Sequence, residues 1–256
     1  MSRSDPLADL TPPVAMPADG ALALLERGML TVEGRITRAS NATLYSRVEL
    51  DGLVAACVYK PVSGERPLWD FPDGTLAERE VAAHLVSVAT GWNIVPPTVL
   101  RDGPLGPGMA QLWIADDPTF DYVSAINAGD VEGLRRMALF DAVVNNSDRK
   151  VSHLLAVRAT AGAHHLYGVD HGVTFSVDDK LRTVLWQWAG SAIPEDGLVV
   201  LSRLDALLRG QLGEALAELL TTAEVAATRR RVAELLSTGL FPLPPTDWPA
   251  VPYPPY

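Results

Sequence analysis

The sequence predicts an α+β fold of two lobes, with a cleft between a small antiparallel β-rich lobe that contains one helix and a larger, mainly helical lobe. The first half carries strand-like segments separated by turn residues, whereas the second half has apolar residues at helical spacing. A third observation is the polar segment 145–152, which stands between two apolar stretches. An ordinary loop needs no such group of amides, acid and cations between core elements, so we expect a chemical role for it.

The predicted domain organisation has four parts. Residues 1–20 are rich in Pro, Asp and Ala and are typical of a flexible arm. The small lobe is expected over residues 21–115 and the large lobe over residues 116–240. Residues 241–256 form a Pro-rich tail, which either recruits a partner through extended contacts or packs along the large lobe.

In the first half, alternating apolar residues and an Asp-Gly turn at 51–52 predict an antiparallel meander of three strands over residues 30–37, 43–50 and 53–60. A helix follows, with Thr75 and Glu78 as a capping box at its start and Gly91 at its end. The segment 95–114 predicts two more strands around a Gly/Pro turn.

In the second half, the segment 131–146 has apolar residues at helical spacing and ends directly at the polar segment. The segment 153–170 predicts a hairpin that turns at Ala161–Gly162. Residues 198–237 predict the helices that close the domain.

Charge and composition exclude several classes of partner. The formal net charge is -10 and the pI is near 4.9, which disfavours nucleic-acid binding and docking on an anionic membrane. The single cysteine, Cys57, permits neither an internal disulfide nor a Cys-based metal cluster and suits the reducing cytoplasm. We find no apolar run typical of a signal peptide or a transmembrane segment.

Four residues carry the chemical hypothesis, in chain order: Lys60 at the end of the third strand, Glu80 in the next helix, Asp148 in the polar segment and Asp170 after the hairpin. This order is the layout of an ATP phosphotransferase with a protein-kinase-like fold. Phosphoryl transfer depends mainly on positioning and on neutralising the phosphate charge. A lysine held by a glutamate, an aspartate near the acceptor hydroxyl and a metal-binding aspartate supply these functions.

Spacing within the polar segment makes the resemblance specific. Asp148, Lys150 and His153 give D-x-K-x-x-H, where protein kinases carry D-x-K-x-x-N. The segment "FDAVVNNSDRKVSHLL" followed by "GVDHGVTF" resembles the phosphatidylinositol 3- and 4-kinase superfamily. The nearest branches are the type II phosphatidylinositol 4-kinases and the HipA-like kinases, and our placement is an uncharacterised actinobacterial branch. The resemblance covers roughly residues 30 to 195.

The resemblance implies a role for each of these residues. Lys60 would contact the phosphates with Glu80 as its ion-pair partner, Asp148 would be the catalytic acid with Lys150 beside it, and Asp170 would be the principal metal ligand. His153 would be the second metal ligand. The nucleotide would be bound at its phosphates by Ser40, Asn41 and Thr43 and at its adenine by Gln111, Leu112, Trp113 and Ile114. ATP and Mg²⁺ or Mn²⁺ are the implied cofactors.

Alternatives to this interpretation stay open. Glu78 is a rival to Glu80 as the partner of Lys60. His153 stands where an asparagine is expected, and imidazole suits Mn²⁺ better than Mg²⁺. We expect the acceptor to be a protein hydroxyl, including one of the chain's own, rather than a lipid head group, and a small polyol is a further alternative. A nucleotide-binding pseudokinase is the competing non-enzymatic function.

Overall fold

The computed structural model describes residues 18–36, 41–129, 131–159 and 163–256. The small lobe is a five-stranded antiparallel sheet in the order β1-β2-β3-β5-β4. Its strands are β1 (Met29–Arg35), β2 (Leu44–Leu50), β3 (Leu53–Pro61), β4 (Thr98–Gly103) and β5 (Gly106–Leu112). Asp51 and Gly52 join β2 to β3 with positive φ angles of 50° and 81°, as a two-residue hairpin turn requires. The predicted sheet is confirmed.

A helix that the sequence patterns did not predict, α1 (Ala18–Arg27), packs on this sheet. Its residues Leu24 and Leu25 are at most 1% exposed. The Arg101 guanidinium of β4 donates hydrogen bonds to the carbonyls of Leu25 and Gly28, at the end of the helix. The helix was missed because it follows directly on the Pro-rich N-terminal residues and spans fewer than three turns.

The next helix, α2 (Leu76–Thr90), begins differently from the prediction. The Glu65 carboxylate accepts hydrogen bonds from the first two backbone N–H groups of the helix, at 3.2 and 3.0 Å. The Thr75 hydroxyl instead donates to a loop carbonyl, so the predicted capping box of Thr75 and Glu78 is wrong. The preceding loop folds back and brings a full negative charge to the positive end of the helix dipole, which replaces the local cap.

The large lobe is mainly helical, as predicted. Its elements are α3 (Tyr122–Ala128), α4 (Glu132–Val144), the hairpin of β6 (Leu154–Arg158) and β7 (His164–Gly168), α5 (Glu195–Leu208), α6 (Gln211–Ala217) and α7 (Thr222–Thr238). The predicted hairpin turn at Ala161–Gly162 lies outside the described residues. Within the described ranges, no helix combines the length and the apolar character needed to cross a membrane.

The apolar side chains form two separate cores. One core joins α1 to the five-stranded sheet, and the other fills the large lobe. Helix α2 belongs to the second core, because Ala82, Ala83 and Val86 are buried against large-lobe residues. The helix that carries Glu80 is therefore packed as part of the large lobe, although it follows β3 in the chain.

An ion pair adds to the attachment of α2. Arg79 is 1% exposed and pairs with Glu224 in the first turn of α7. Its guanidinium also donates to the carbonyl of Thr174, at 2.7 Å. Because both charges are buried, separating α2 from α7 would leave them unpaired, which is strongly unfavourable.

The C-terminal tail packs along the large lobe, one of the two arrangements that the sequence left open. The carbonyl of Ala250 accepts hydrogen bonds from the Thr183 N–H and the Trp186 indole N–H, at 3.0 and 2.9 Å. The carbonyl of Pro255 accepts from the Val151 N–H at 2.9 Å, beside the polar segment.

Candidate active site

The first half of the polar segment is buried because its side chains bond neighbouring loops. Asn145 ends α4 in the left-handed conformation with a φ of 53°. Its amide nitrogen donates to the carbonyls of Ser176 and Asp178, and its amide oxygen accepts from the Lys180 N–H. Asn145 therefore fixes the segment after residue 175 against the end of α4.

A charged network lies beneath this segment and was not identified from the sequence. The Arg149 guanidinium is fully buried and binds the Asp141 carboxylate through two nitrogens, at 2.9 and 2.8 Å. One of these nitrogens lies 2.7 Å from His171 Nε2, and Asn146 donates to the same carboxylate at 3.0 Å. The sequence feature that could have revealed this network is Asp141, an acid that stands among apolar residues at a buried position of the helix.

This network places the two aspartates of the hypothesis. Arg149 follows Asp148 directly, and its guanidinium donates to the carbonyl of Val169, the residue before Asp170. The backbone N–H of Asp148 donates to the Asn146 side chain at 3.0 Å. One buried arginine thus fixes the backbone on both sides of the cleft floor.

Asp170 has an unusual backbone conformation. Its φ is 64°, in the left-handed region that few residues other than glycine adopt. Such a conformation persists only where surrounding contacts enforce it, and it is frequent at functional sites. Its carboxylate is half-exposed to the cleft.

The structure brings Lys60, Glu80 and Asp170 together between the lobes. Lys60 Nζ lies 2.6 Å from Glu80 Oε1 and 2.6 Å from Asp170 Oδ1. The other oxygen of Glu80 accepts the His171 N–H at 2.9 Å. Glu78, the rival partner, makes no contact with Lys60, and its Oε2 is buried without a hydrogen-bond partner in the described part of the chain.

These contacts shift the pKa values of both charged groups. The Lys60 ammonium holds the pKa of the Asp170 carboxyl well below its usual range. Burial acts to lower the pKa of Lys60, but the Asp170 and Glu80 carboxylates outweigh it and raise that pKa above its ordinary value. Lys60 is therefore a fixed positive charge next to a fixed carboxylate at neutral pH.

His153 lies on the other side of Asp170. Its Nε2 is 3.4 Å from Asp170 Oδ2. Burial lowers the pKa of His153, although the Asp170 carboxylate opposes this effect, so the ring is neutral at pH 7 and has a lone pair to offer a metal.

The two donors fit a divalent cation. Adjacent ligands of an octahedral ion with bonds of about 2.1 Å lie about 3 Å apart, close to the observed separation. The described ranges contain no group of three or more His, Cys, Asp or Glu side chains that could hold a metal ion, at this site or at any other. Magnesium-type sites commonly use one or two protein ligands and take the rest from phosphates and water.

Asp148 and Lys150 lie side by side on the cleft floor. Lys150 Nζ is 2.9 Å from Asp148 Oδ2, and both side chains are partly exposed. Asp148 and Asp170 line one cavity, while Lys60, Glu80 and Asp170 line a smaller adjoining one. The two aspartates thus face the same cleft from successive loops.

The expected phosphate-binding turn lies above this cleft. Ser40 lies outside the described residues. Asn41 lines both cavities, and its side-chain oxygen accepts the Arg66 N–H at 3.0 Å. Thr43 is buried. A β-carbon at Gly64 would lie 2.4 Å from the β-carbon of residue 42, so only glycine lets the loop after β3 approach the turn so closely.

Most residues of the segment expected to bind adenine form hydrogen bonds within the small lobe. The Gln111 amide is buried and donates to the Thr98 hydroxyl at 2.8 Å. The backbone N–H groups of Leu112 and Trp113 donate to small-lobe carbonyls. Of the four residues, Ile114 is the one whose backbone N–H has no acceptor among the described residues.

Comparison with known proteins identifies one close sequence relative. No protein-family model matches the chain. The chain is 45% identical over 270 residues to Protein Rv2133c of Mycobacterium tuberculosis (strain ATCC 25618 / H37Rv), and the match covers 91% of this chain and 96% of the relative.

Several solved kinases share the fold. The Golgi casein kinase with Mn/ADP bound matches with a TM-score of 0.60 and 15% identity, over 86% of this chain and 75% of that chain. Hydra Fam20 with sugar matches with a TM-score of 0.59 and 14% identity, over 86% and 87%. The Helicobacter pylori proinflammatory kinase CtkA matches with a TM-score of 0.50 and 11% identity, over 85% and 94%. The predicted two-lobed, protein-kinase-like fold is confirmed, whereas the placement near the phosphatidylinositol kinases stays a prediction.

Proposed function

This chain belongs to the family of Protein Rv2133c, and we propose that it is an ATP-dependent phosphotransferase that phosphorylates an alcohol group. The observation that carries the proposal is the position of Lys60, whose ammonium contacts Glu80 of α2 and Asp170 of the large lobe at the same time. Fold alone does not fix function, so the proposal depends on this geometry. That the Golgi casein kinase was solved with Mn/ADP and shares the fold is consistent with it.

The nucleotide phosphates lie next to Lys60 in this proposal. The ammonium neutralises their charge, while Glu80 keeps the side chain from swinging away. Lys60 also contacts Asp170, and in this proposal a phosphate oxygen takes the place of that carboxylate beside the ammonium. Asn41 covers the phosphates from the small lobe.

Asp170 and His153 would hold the divalent cation. When bound, Mg²⁺ or Mn²⁺ supplies positive charge at the phosphate oxygens. His153 supplies a neutral nitrogen for it because burial keeps the imidazole unprotonated at pH 7. This imidazole stands at the motif position where an amide is usual, and a nitrogen ligand favours Mn²⁺ over Mg²⁺.

Asp148 accepts the proton of the acceptor hydroxyl and orients its oxygen toward the γ-phosphorus. Lys150 Nζ, at 2.9 Å, pairs with this carboxylate and adds positive charge near the transferred group. The buried Arg149 holds this loop, so the carboxylate is positioned before substrate arrives.

Two acceptor classes are compatible with this chemistry. The sequence favours a protein hydroxyl, including one of the chain's own, whereas a small polyol is the alternative. The position of the tail favours the second class, since Trp248 of the tail lines the cavity that contains Asp148 and leaves less room there for a polypeptide acceptor. We propose that the reaction takes place in the cytoplasm, since the chain's single cysteine, Cys57, suits a reducing compartment.

A pseudokinase is the second candidate function. The observations that favour it are the histidine in place of the metal-binding amide and the ion pair of Lys150 with Asp148. In this alternative the cleft binds nucleotide, but it does not transfer phosphate.

The test is ATP turnover by the purified full chain with Mg²⁺ or Mn²⁺, compared with the Asp148→Ala and Asp170→Ala variants. Turnover that both variants abolish supports the kinase. Thermal stabilisation by ATP without turnover under either metal supports the pseudokinase. Neither binding nor turnover contradicts both functions.

A further inference from the structure

The cleft continues beyond Asp148 into a second cavity of about 340 Å³. It adjoins the smaller cavity around Lys60, and the two share Asp170 and Asn41 in their walls. Since Lys60 marks the phosphate side of the cleft, the larger cavity lies on the side from which an acceptor reaches Asp148. Its volume is at the lower end of the range for small-molecule sites.

Two arginines line this cavity and give it positive charge. Arg66 comes from the loop after β3 and Arg182 from the loop before α5. Neither guanidinium makes an ion pair with a carboxylate of the described ranges, although acids outnumber Lys and Arg by 31 to 21 in this chain.

The carboxylates around the cavity are already paired with lysines. Asp148 pairs with Lys150 at 2.9 Å, and Asp170 pairs with Lys60 at 2.6 Å. Asp70 pairs with a lysine as well, at 3.1 Å. Arg66 and Arg182 are therefore the charged residues lining this cavity that have no ion-pair partner in the described part of the molecule. Their guanidinium groups are suited to bind an anionic group of a ligand.

Two tryptophans also line the cavity. Trp69 is 83% exposed, and its ring centroid lies 6.3 Å from that of Trp248 in the C-terminal tail. The Lys180 ammonium lies over both rings, at 4.8 and 5.6 Å from their centroids, which holds them in place. An aromatic face of this kind is suited to the apolar C–H groups of a small ligand.

Two donor groups of the cavity residues lack acceptors. The Arg182 Nε–H and the Trp248 indole N–H are both buried, and neither has a hydrogen-bond partner within the described ranges. Buried donors are nearly always paired, so an unpaired one points to a missing acceptor. Oxygen atoms of a bound ligand would satisfy them after a small side-chain adjustment.

We propose that this cavity is the acceptor site and that the acceptor is a small polyol bearing a phosphate or carboxylate group. The inference rests on the kinase function proposed above and names its substrate class. The anionic group binds Arg66 and Arg182, the carbon skeleton lies against Trp69, and one hydroxyl lies at Asp148. That hydroxyl oxygen forms a bond to the γ-phosphorus of ATP while the bond from phosphorus to the β–γ bridging oxygen breaks. ADP leaves with the bonding electrons, and Asp148 takes the hydroxyl proton.

The test compares acceptors that differ in one anionic group: glycerol 3-phosphate with glycerol, D-glucose 6-phosphate with D-glucose, and D-gluconate with D-sorbitol. The full chain is incubated with labelled ATP and Mn²⁺, and labelled product is measured. At least one anionic probe is expected to be phosphorylated with a kcat/KM at least 10-fold above that of its neutral partner. Equal turnover within all three pairs overturns the inference, and the kinase function survives it.

The arginine variants locate the anion. Arg182→Gln and Arg66→Gln are expected to lower kcat/KM for the anionic probe at least 10-fold, whereas Arg209→Gln, an exposed arginine of the large lobe, leaves it unchanged. Binding of ATP is measured separately. If Arg182→Gln weakens ATP binding as much as probe turnover, Arg182 serves the nucleotide and the inference is overturned.

A binding measurement keeps the inference testable without catalysis. Tryptophan fluorescence of the Asp148→Asn variant is titrated with the anionic probes, and a saturable change that Arg182→Gln abolishes supports the site. No saturable change, together with no turnover of any probe, overturns it whether or not ATP is bound.

The source of the acceptor is tested in parallel. Vesicles of phosphatidylcholine with phosphatidylglycerol present the same polyol phosphate as a lipid head group. Transfer to the vesicles that Arg182→Gln abolishes assigns the chemistry to a lipid, and transfer to the free probe assigns it to a metabolite. Label found in the chain itself and not in any probe overturns the small acceptor in favour of a protein hydroxyl.

Discussion

The two lobes hold their halves of the cleft in different ways. In the small lobe, Lys60 ends a strand of a sheet whose core contains one short helix. In the large lobe, the loops of Asp148 and Asp170 are bonded to a buried charged network, and Glu80 of α2 is packed into the same core. The large lobe therefore carries nearly all of the preorganised part of the candidate site. The small lobe supplies the Lys60 ammonium and the turn with Asn41 that covers the cleft.

This difference identifies the part of the site that can move. In protein kinases, activity is commonly controlled by the position of the helix that carries the glutamate. Here α2 is bonded to α7 through the buried pair of Arg79 and Glu224. Moving α2 would break that pair, so opening and closing of the cleft is expected to move the sheet with Lys60, while Glu80 stays in place.

The largest expected effect comes from the large-lobe half of the site. Asp148→Asn removes the carboxylate proposed to take the acceptor proton while keeping the side-chain shape, so kcat is expected to fall about 10³-fold. The measurement is ATP turnover with Mn²⁺, together with the melting temperature, which stays unchanged. Asp178→Asn is the matched control, because this aspartate is 79% exposed. More than a tenth of the original turnover in Asp148→Asn would contradict the role of Asp148.

The second prediction compares arginines of the two lobes. Arg149→Met leaves the fully buried Asp141 carboxylate without its partner, so the free energy of unfolding is expected to fall by about 3–5 kcal/mol. Arg47→Met in the small lobe removes a partly exposed pair with Glu49 and is expected to cost less than about 1 kcal/mol. Denaturant unfolding measures both changes. Equal losses would show that the Arg149 network does not stabilise the large lobe more than a surface pair does.

The third prediction concerns the contact between the lobes. Lys60→Met removes the charge proposed to lie at the ATP phosphates, so kcat/KM for ATP is expected to fall about 100-fold. Glu80→Gln alone is expected to have a smaller effect, because Lys60 keeps its charge and loses only the carboxylate that positions it.

The double variant of Lys60→Met and Glu80→Gln serves as the control. Adding Glu80→Gln to Lys60→Met is expected to cost little more, since residues that act as a unit are not additive. Fully additive losses in kcat/KM would show that Glu80 acts independently of Lys60.

The sequence predicted the order of elements well, because strand alternation, turn residues and helical spacing are local signals. It also identified the four candidate site residues Lys60, Glu80, Asp148 and Asp170, because their order along the chain resembles that of protein kinases. It could not predict that Glu65, eleven residues before α2, caps that helix, because the loop between them must fold back first.

The sequence missed the Arg149 network for a similar reason. The contact between Arg149 and His171 spans 22 residues and depends on how two loops pack in three dimensions. The contact between Trp69 and Trp248 joins residues that the whole large lobe separates in the chain. Composition therefore identified the tail as Pro-rich but could not predict its position at the cleft. Non-local contacts of this kind carry no short sequence pattern.

The smallest expected effect is a pH dependence of stability that reports on α2. His84 of α2 is buried, and burial lowers its pKa below the ordinary 6.5, while the Val95 carbonyl acts in the opposite direction. The unfolded chain therefore binds a proton at His84 more readily than the folded chain. Stability from neutral His84 is fully present above about pH 6.5 and is lost as the pH falls from there toward the lower folded pKa.

His84→Gln tests this dependence. The variant is expected to show a shallower decline in the free energy of unfolding between pH 6.5 and 5, measured by denaturant unfolding at each pH. His153 and His171 also have lowered pKa values and contribute in the same direction, so the decline is reduced and not abolished. His165→Gln, on the β7 hairpin, is the matched control. An unchanged decline in His84→Gln would mean that α2 opens to solvent in the native protein, which would contradict its assignment to the large-lobe core.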